Sequence, residues 1–583
     1  MSVYATPTQF TATPQLVLVI RRYLACCLML MFYIGLAPTT MAASLADWQQ
    51  DIDEIALKIV AIHPEPFARI GRLEFVREVE NLKAELPRLS EEQRVTRTMR
   101  LVALVGDSHT QLEPDRADFA RWYPLRVYEF TDGFFVTAAH KSVADLAGAQ
   151  LLNIGGSRVE QVAERARTLM GADNELSAKE NLFALSNAAL MQGLGYAAGD
   201  GNLSVKFKLT GGAIVERVIK SSQASDPRYK KDDATFEWRF QAEMGGPPLS
   251  GVDSWLSAYK NLPYAAFRTF DATRPLRLMN RWQFTSKSLP LQSAYYIQAN
   301  FVGENFAQEF RTALKEVDGL RPRRLIVDLR YCFGGDGSRV PAMLREFIKR
   351  EESHAWKELY LLTGRRTLSA GIMAAQALMD NTTITVLGEP MAAPVNSYGD
   401  AQSIPLSRTG LHLYLSTVKH QLGKSTDINP FSRIDIPAQM SFEEYASGGD
   451  PLVDAILRGD EMRSLPVIAL TDGGAMARRA WEERRTAFAK FHWWSPPQEL
   501  DLRRTCDQLR DNNQLADAIE LCKLNAEINP SIWNVWYNLA NAQLAAGHLA
   551  EALTSYRRVL EIDPNNSNAD EIRRVFEKAG TRF

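Results

Sequence analysis

The chain is poor in cysteine, with five among 583 residues. Cys26 and Cys27 are adjacent near the N-terminus. The other three, Cys332, Cys506 and Cys522, are an odd number, so no disulfide framework is implied. No Cys-x-x-Cys pair, no His-Glu-x-x-His run and no glycine loop leading into Lys-Ser or Lys-Thr at phosphate-cradling spacing occurs. The common zinc and nucleotide motifs are therefore excluded, and neither a metal nor a cofactor is expected. Charge is almost balanced, 67 basic against 69 acidic residues, which argues against a general nucleic-acid binder. Beyond the N-terminus no apolar run approaches the ~20 residues that a spanning helix needs. Histidine is scarce too, eight in all, so a general base has few candidates.

The two ends of the chain are distinctive. Arg21-Arg22 precedes a short apolar stretch and then small residues up to Ala43. That order predicts a secretory signal over 1–43, cut near Ala42 or Ala43, and export to the periplasm or beyond. An uncleaved signal would be the single membrane contact. At the other end, Trp536, Leu539, Ala540, Gly547, Ala552, Tyr556 and Pro564 stand at the offsets of a tetratricopeptide repeat. A weaker copy over 499–532 has Ala518, Cys522 and Pro530 in equivalent places, and a further helix is expected over 568–579. Such repeats suit a peptide-docking groove, a contact between copies, or a stabilising cap. The linker before them, 491–498, holds Trp493 and Trp494 as anchors to the core.

Three internal segments carry the chemistry. In the first, an apolar strand over 358–363 runs through Gly364 to Ser369-Ala370-Gly371 and a helical pattern. A serine at a strand–turn–helix junction is exposed at the end of a sheet, beside the free N–H groups of the helix start. The alternative is an ordinary N-cap. In the second, the apolar run 101–105 ends at Gly106-Asp107-Ser108-His109-Thr110, a turn able to present His109 as a general base. In the third, a strand ending Asp328-Leu329-Arg330 leads into Gly334-Gly335, whose N–H groups suit an oxyanion hole.

In order and spacing these segments resemble the C-terminal processing (tail-specific) serine proteases, over roughly residues 45–460. They resemble the tricorn-like branch, which uses Ser and His, more than the Ser–Lys branch. The matching pieces are Asp328-Leu329-Arg330, Gly334-Gly335, Ser369-Ala370, Gly388-Glu389 and Ser108-His109. The resemblance implies an α/β, crotonase-like peptidase core with a peptide or protein substrate. It implies Ser369 as nucleophile, His109 as base with Ser108 beside it, and an oxyanion hole from Ala370 with Gly334 or Gly335. Asp427 stands near the position of the acid partner; its plainer reading is a turn residue ahead of Asn429-Pro430. Two departures are visible. Pro394 occupies the place of the Ser–Lys lysine, so His109 must be the base. Cys332-Phe333 stands where small or amide residues are usual.

The resemblance orders the rest of the chain. A helical segment over 44–120 carries Ser108-His109, with a helix from Leu45 that His63-Pro64 ends, a second over 72–86 and a third opened by Ser90. His63 reads as a helix terminus. A degenerate PDZ-like β insert is expected over 121–230, loops over the cleft at 231–290, and the protease core over 291–490, ahead of the repeats at 499–583. Two other readings stay open: a binding protein on the same scaffold, as in a retinoid-binding relative, and an assembly factor acting through the repeats. The apolar stretch 180–200 is either a ligand pocket or a buried helix pair.

Overall fold

The computed structural model describes residues 43–114, 116–221, 255–258 and 284–581. The expected signal with Cys26 and Cys27, and most of the loops expected over 231–290, lie outside the described residues.

The core is a six-stranded sheet in the order Ile436–Pro437, Ile384–Gly388, Glu358–Thr363, Arg324–Asp328, Ala294–Ala299, Phe284–Leu289. All neighbours are parallel except the last pair. Its inner strands are continuously apolar because both faces are covered. One face (Tyr295, Ile297, Leu325, Val327, Leu359, Leu361, Val386) packs on helices Phe306–Leu320, Val340–Glu352 and Ala370–Asn381. The alternate residues (Tyr296, Ile326, Tyr360, Leu362, Leu387) meet helix Pro451–Arg458. From Ala294 onward each strand lies beside its predecessor after a crossover, so the turns after Asp328, Thr363 and Gly388 all emerge at one edge.

The sheet starts earlier than expected. Phe284–Leu289, assigned to the loops over the cleft, is its antiparallel edge strand. Every side chain there is half-buried, so the segment lacks the alternation that marks a strand. Trp255–Ser257, in the same expected loop region, pairs with Gly133–His140 of the β insert.

Ahead of the core, helix Leu45–Ile62 begins at a capping box of Ser44 and Asp47, and helix Glu91–Ala103 at one of Ser90 and Gln93. Ile52, Ile55 and Ile59 point into a hydrophobic core shared with the β insert and with Leu411, Leu413 and Leu415. The stretch 180–200 belongs to that core. Ala184, Leu185, Ala188, Leu190 and Met191 are fully buried, so these residues are packing, while Gly193, Leu194 and Gly195 edge a polar surface cavity with Gln93, Thr96 and Arg97. No helix among the described residues is long and apolar enough to cross a membrane.

The stretch expected to hold the repeats forms helices Glu499–Asp511, Leu515–Ile528, Trp533–Ala545 and Leu549–Ile562, followed by Ala569–Lys578. Two repeats alone expose an apolar flank. Here Leu465, Ile468, Ala477 and Ala480 from two preceding helices cover it, and Ile572 and Phe576 close the far end. Trp493 is buried against the sheet's helical face, as its anchoring role required. Cys332, Cys506 and Cys522 are free and buried.

Candidate active site

Ser369 follows strand Glu358–Thr363 and precedes helix Ala370–Asn381. Its backbone lies at φ 55°, ψ −127°, a left-handed conformation that a residue with a Cβ adopts only under strain. Ser369 holds the N-cap position, but its side chain makes no capping hydrogen bond. Among the described residues the hydroxyl has no hydrogen-bond partner at all.

The turn is held by bonds that do not involve that hydroxyl. Gly364 N–H donates to Thr367 Oγ1 at 3.1 Å, and Thr367 Oγ1 donates to Leu329 O at 2.8 Å. Leu368 N–H donates to Cys332 O at 2.9 Å. The serine turn and the glycine turn are thus one unit. Ser369 sits directly over Gly334: a Cβ on that glycine would lie 2.8 Å from Ser369 Cβ and 3.3 Å from its Oγ. At Gly335 a Cβ would strike Val302 O at 2.3 Å. Both glycines have φ near 130°, so the residue type is dictated twice over.

The Gly334 N–H makes no hydrogen bond to the backbone among the described residues and lies toward the Cys332 sulfur, where it tempers the rise of that thiol. The N–H groups of Gly335 and Ala370 carry no hydrogen bond among the described residues. Burial pushes the Cys332 thiol up to about 12, so it is an inert core group.

His109 comes from the other side. Asp107 closes its turn: Oδ1 accepts the N–H of His109 and of Thr110, each at 2.9 Å, and the Ser416 hydroxyl at 2.7 Å. Oδ2 lies 3.0 Å from His63 Nε2, with both side chains sealed from solvent. His63 is therefore both the helix terminus expected and a buried partner of Asp107. Burial tends to raise the Asp107 carboxyl, but bonds from His63, Thr110 and Ser416 outweigh it and hold the group below its ordinary value. Burial also lowers the His109 imidazole; the Asp107 charge opposes this, His420 adds to it, and Asp400 opposes it. The imidazole is thereby kept neutral below the usual histidine range.

No hydrogen bond joins His109 to Ser369 among the described residues, and His109 Nδ1 is buried without a partner. A short relay connects their turns. Ser108 N–H donates to Asp173 Oδ2 at 2.9 Å, and Asp173 N–H to Ser108 Oγ at 3.3 Å. The next residue, Asn174, donates through Nδ2 to Met391 O at 3.0 Å and Pro430 O at 3.1 Å. Ala392 N–H then donates to Thr367 O at 2.9 Å, two residues from Ser369. Asp427 is not in this relay. Its Oδ1 accepts the Asn429 N–H at 3.0 Å, the plainer of the two readings made for it.

Asp107, Asp173 and His63 as buried partners were missed from the sequence. Asp107 had a signal, since an aspartate opening Gly-Asp-Ser-His-Thr is placed to accept the N–H groups two and three residues on. Asp173 had none. Burial chiefly, aided by the Asp107 charge, raises its carboxyl to about 6. A carboxyl raised on folding binds protons more tightly in the native state, so its contribution to stability grows as pH falls from about 6 toward 4. Asp173→Asn is expected to stabilise at pH 7.5 by about 2 kcal/mol and to be neutral near pH 4, read as the melting-temperature difference from wild type. A difference that stays constant with pH would refute this.

No curated protein matches the chain. Residues 533–566 match the tetratricopeptide repeat. Solved structures similar to the chain include mature CPAF complexed with lactacystin, at 13% identity over 71% of this chain and 99% of that one, TM-score 0.48. The photosystem II D1 C-terminal processing protease is similar at 13% identity over 68% and 94%, TM-score 0.30. The tricorn protease is similar at 14% over 71% and 36%, TM-score 0.32.

Proposed function

We propose that the chain is an exported serine hydrolase that cleaves peptide bonds, with Ser369 as nucleophile and His109 as general base. The observation that carries this is the strained backbone of Ser369, which holds an unpartnered hydroxyl over Gly334 at the edge where the sheet's turns converge. Backbone strain of this kind concentrates at functional sites. A serine needed only for packing or capping would relax.

The chemistry is acyl transfer. As Ser369 Oγ bonds to the substrate carbonyl carbon, its proton passes to the free nitrogen of His109 and the carbonyl electrons move onto oxygen. Ala370 N–H and a glycine N–H, from Gly334 or Gly335, receive that oxyanion. The C–N bond breaks, and the leaving amine takes the proton from His109. Water, deprotonated by His109, then releases the acyl group and restores the hydroxyl. Ser108 holds the histidine turn through Asp173, and the charges of Asp107 and Asp400 favour the imidazolium as it forms. The serine–histidine bond forms in the substrate complex, since catalytic contacts commonly tighten there.

Export rests on the N-terminal pattern, with the β insert as a PDZ-like peptide-docking module. A second role, capture of a protein partner, is supported by the repeats.

The test is reaction with a fluorophosphonate, followed by peptide mapping. A single adduct on Ser369 is expected. Because burial depresses the His109 imidazole, the acid limb of the labelling rate should have its midpoint below pH 6.5. A folded protein without an adduct at Ser369 would sink the proposal, and an acid limb above 6.5 would remove His109 from it.

A further inference from the structure

Two adjacent arginines stand between Gly364 and Ser369, and the hydrolytic mechanism uses neither. Arginines in a turn normally reach into solvent, yet only 7% of the Arg365 side chain and 11% of the Arg366 side chain are exposed. Arg365 Nε donates to Tyr128 Oη at 3.0 Å and its Nη2 to Glu129 O at 2.7 Å. The same Nε lies 2.8 Å from Glu180 Oε1, as an ion pair without hydrogen-bond geometry. Arg366 Nε bonds the other oxygen, Glu180 Oε2. Its Nη1 is buried with no hydrogen-bond partner. Both guanidiniums approach the Tyr128 ring, at 4.5 and 5.3 Å from its centre.

One carboxylate therefore serves two buried cations. Arg365 has a second counter-charge in Glu389, 3.7 Å from its Nε, whose Oε1 accepts Gln439 Nε2 at 2.7 Å; Glu180 is the carboxylate that the two cations share. Burial works to lower the Arg365 guanidinium, but the neighbouring Tyr128, Glu389 and Glu180 groups more than offset it. Glu180 also ends helix Glu175–Glu180, whose N-cap is Asn174, next to Asp173. A single short element grips the histidine turn at one end, through Asp173 and Ser108, and the serine turn at the other, through Arg365 and Arg366.

We propose that Glu180 is a positioning residue for Ser369: by neutralising Arg365 and Arg366 together it fixes the serine turn at a set distance from the His109 turn. The inference rests on the hydrolytic reading of Ser369 and His109. Without the Glu180 charge Arg366 loses its ion pair while Arg365 keeps Glu389, the adjacent guanidiniums repel each other with less charge between them, and the turn they flank moves. Displacement of a nucleophile by about 1 Å is enough to slow its reaction by about 100-fold.

The experiment measures fluorophosphonate labelling of the full chain, separating probe affinity from the rate of bond formation, with a melting curve for each variant. In Glu180→Gln the bond-forming rate is expected to fall about 10- to 100-fold with probe affinity little changed. Adding Arg366→Gln to Glu180→Gln removes the unbalanced cation and is expected to restore most of the rate. A merely structural loss would deepen with the second substitution. Normal labelling by Glu180→Gln overturns the inference, as does a folded double variant that stays slow. Should Glu180→Gln not fold, the double variant decides alone: labelling near the wild-type rate supports the role, and slow labelling overturns it. Absence of any Ser369 adduct in the wild-type protein is a different result, which removes the hydrolytic reading itself.

Discussion

Ser369→Ala is expected to abolish fluorophosphonate labelling and to lower peptide hydrolysis by at least about 10⁴-fold, with the melting curve almost unchanged. Alanine removes the one atom that attacks, and the hydroxyl it deletes holds nothing in the resting protein. Ser369→Gly separates chemistry from architecture. At φ 55°, ψ −127° a side chain costs about 1–3 kcal/mol, which glycine relieves. Against this stands about 0.5–1 kcal/mol for the greater freedom of glycine in the unfolded chain. Strain relief wins, so the glycine variant should be inactive and more stable than wild type by about 1 kcal/mol, measured by urea unfolding. A glycine variant less stable than the alanine variant would show that the serine turn is not strained and would remove the main support for a nucleophile there.

The elements around that turn were legible because their sequences obey local rules. The strands at Arg324–Asp328 and Glu358–Thr363 are continuous apolar runs, as a sheet covered on both faces requires. The helix that leads to His109 starts at Ser90, as the sequence indicated, and closes there in a capping box with Gln93. The strand–turn–helix around Ser369 lay where the sequence placed it. What escaped was long-range. Arg365 and Arg366 look like solvent-facing charges, and nothing local shows that Glu180, 185 and 186 positions earlier in the chain, turns them inward. Phe284–Leu289 carries polar residues on a half-exposed edge, so no apolar pattern marks it as a strand. Asp173 lies in an ordinary Gly-Ala-Asp-Asn loop, and only its partner Ser108, 65 residues away, gives it a role.

The same dependence on distant partners makes Asp107 a sensitive buried position. Asp107→Ala is expected to destabilise the protein by about 3–5 kcal/mol in urea unfolding at pH 7, because it orphans His63 Nε2, the Ser416 hydroxyl and the N–H groups of His109 and Thr110 together. Asp107→Asn keeps an oxygen for Oδ1's three donors but turns its amide toward His63 Nε2, a donor because Nδ1 accepts the Glu65 N–H at 3.1 Å, so it recovers only about 1–2 kcal/mol of that loss. The pH dependence has a fixed sign. The folded carboxyl is held below its unfolded value near 3.9, so its contribution is complete above that value and is lost as pH falls through the depressed folded one. The gap between wild type and Asp107→Ala should thus be constant from pH 7 to 5 and close only in stronger acid. Labelling of Ser369 should fall by about 100-fold in Asp107→Ala under conditions where it remains folded, since Oδ1 is what fixes the backbone of His109. A destabilised variant that labels at the wild-type rate would mean that the Asp107 network serves only the fold, and that the base acting on Ser369 is held by something other than the turn of His109.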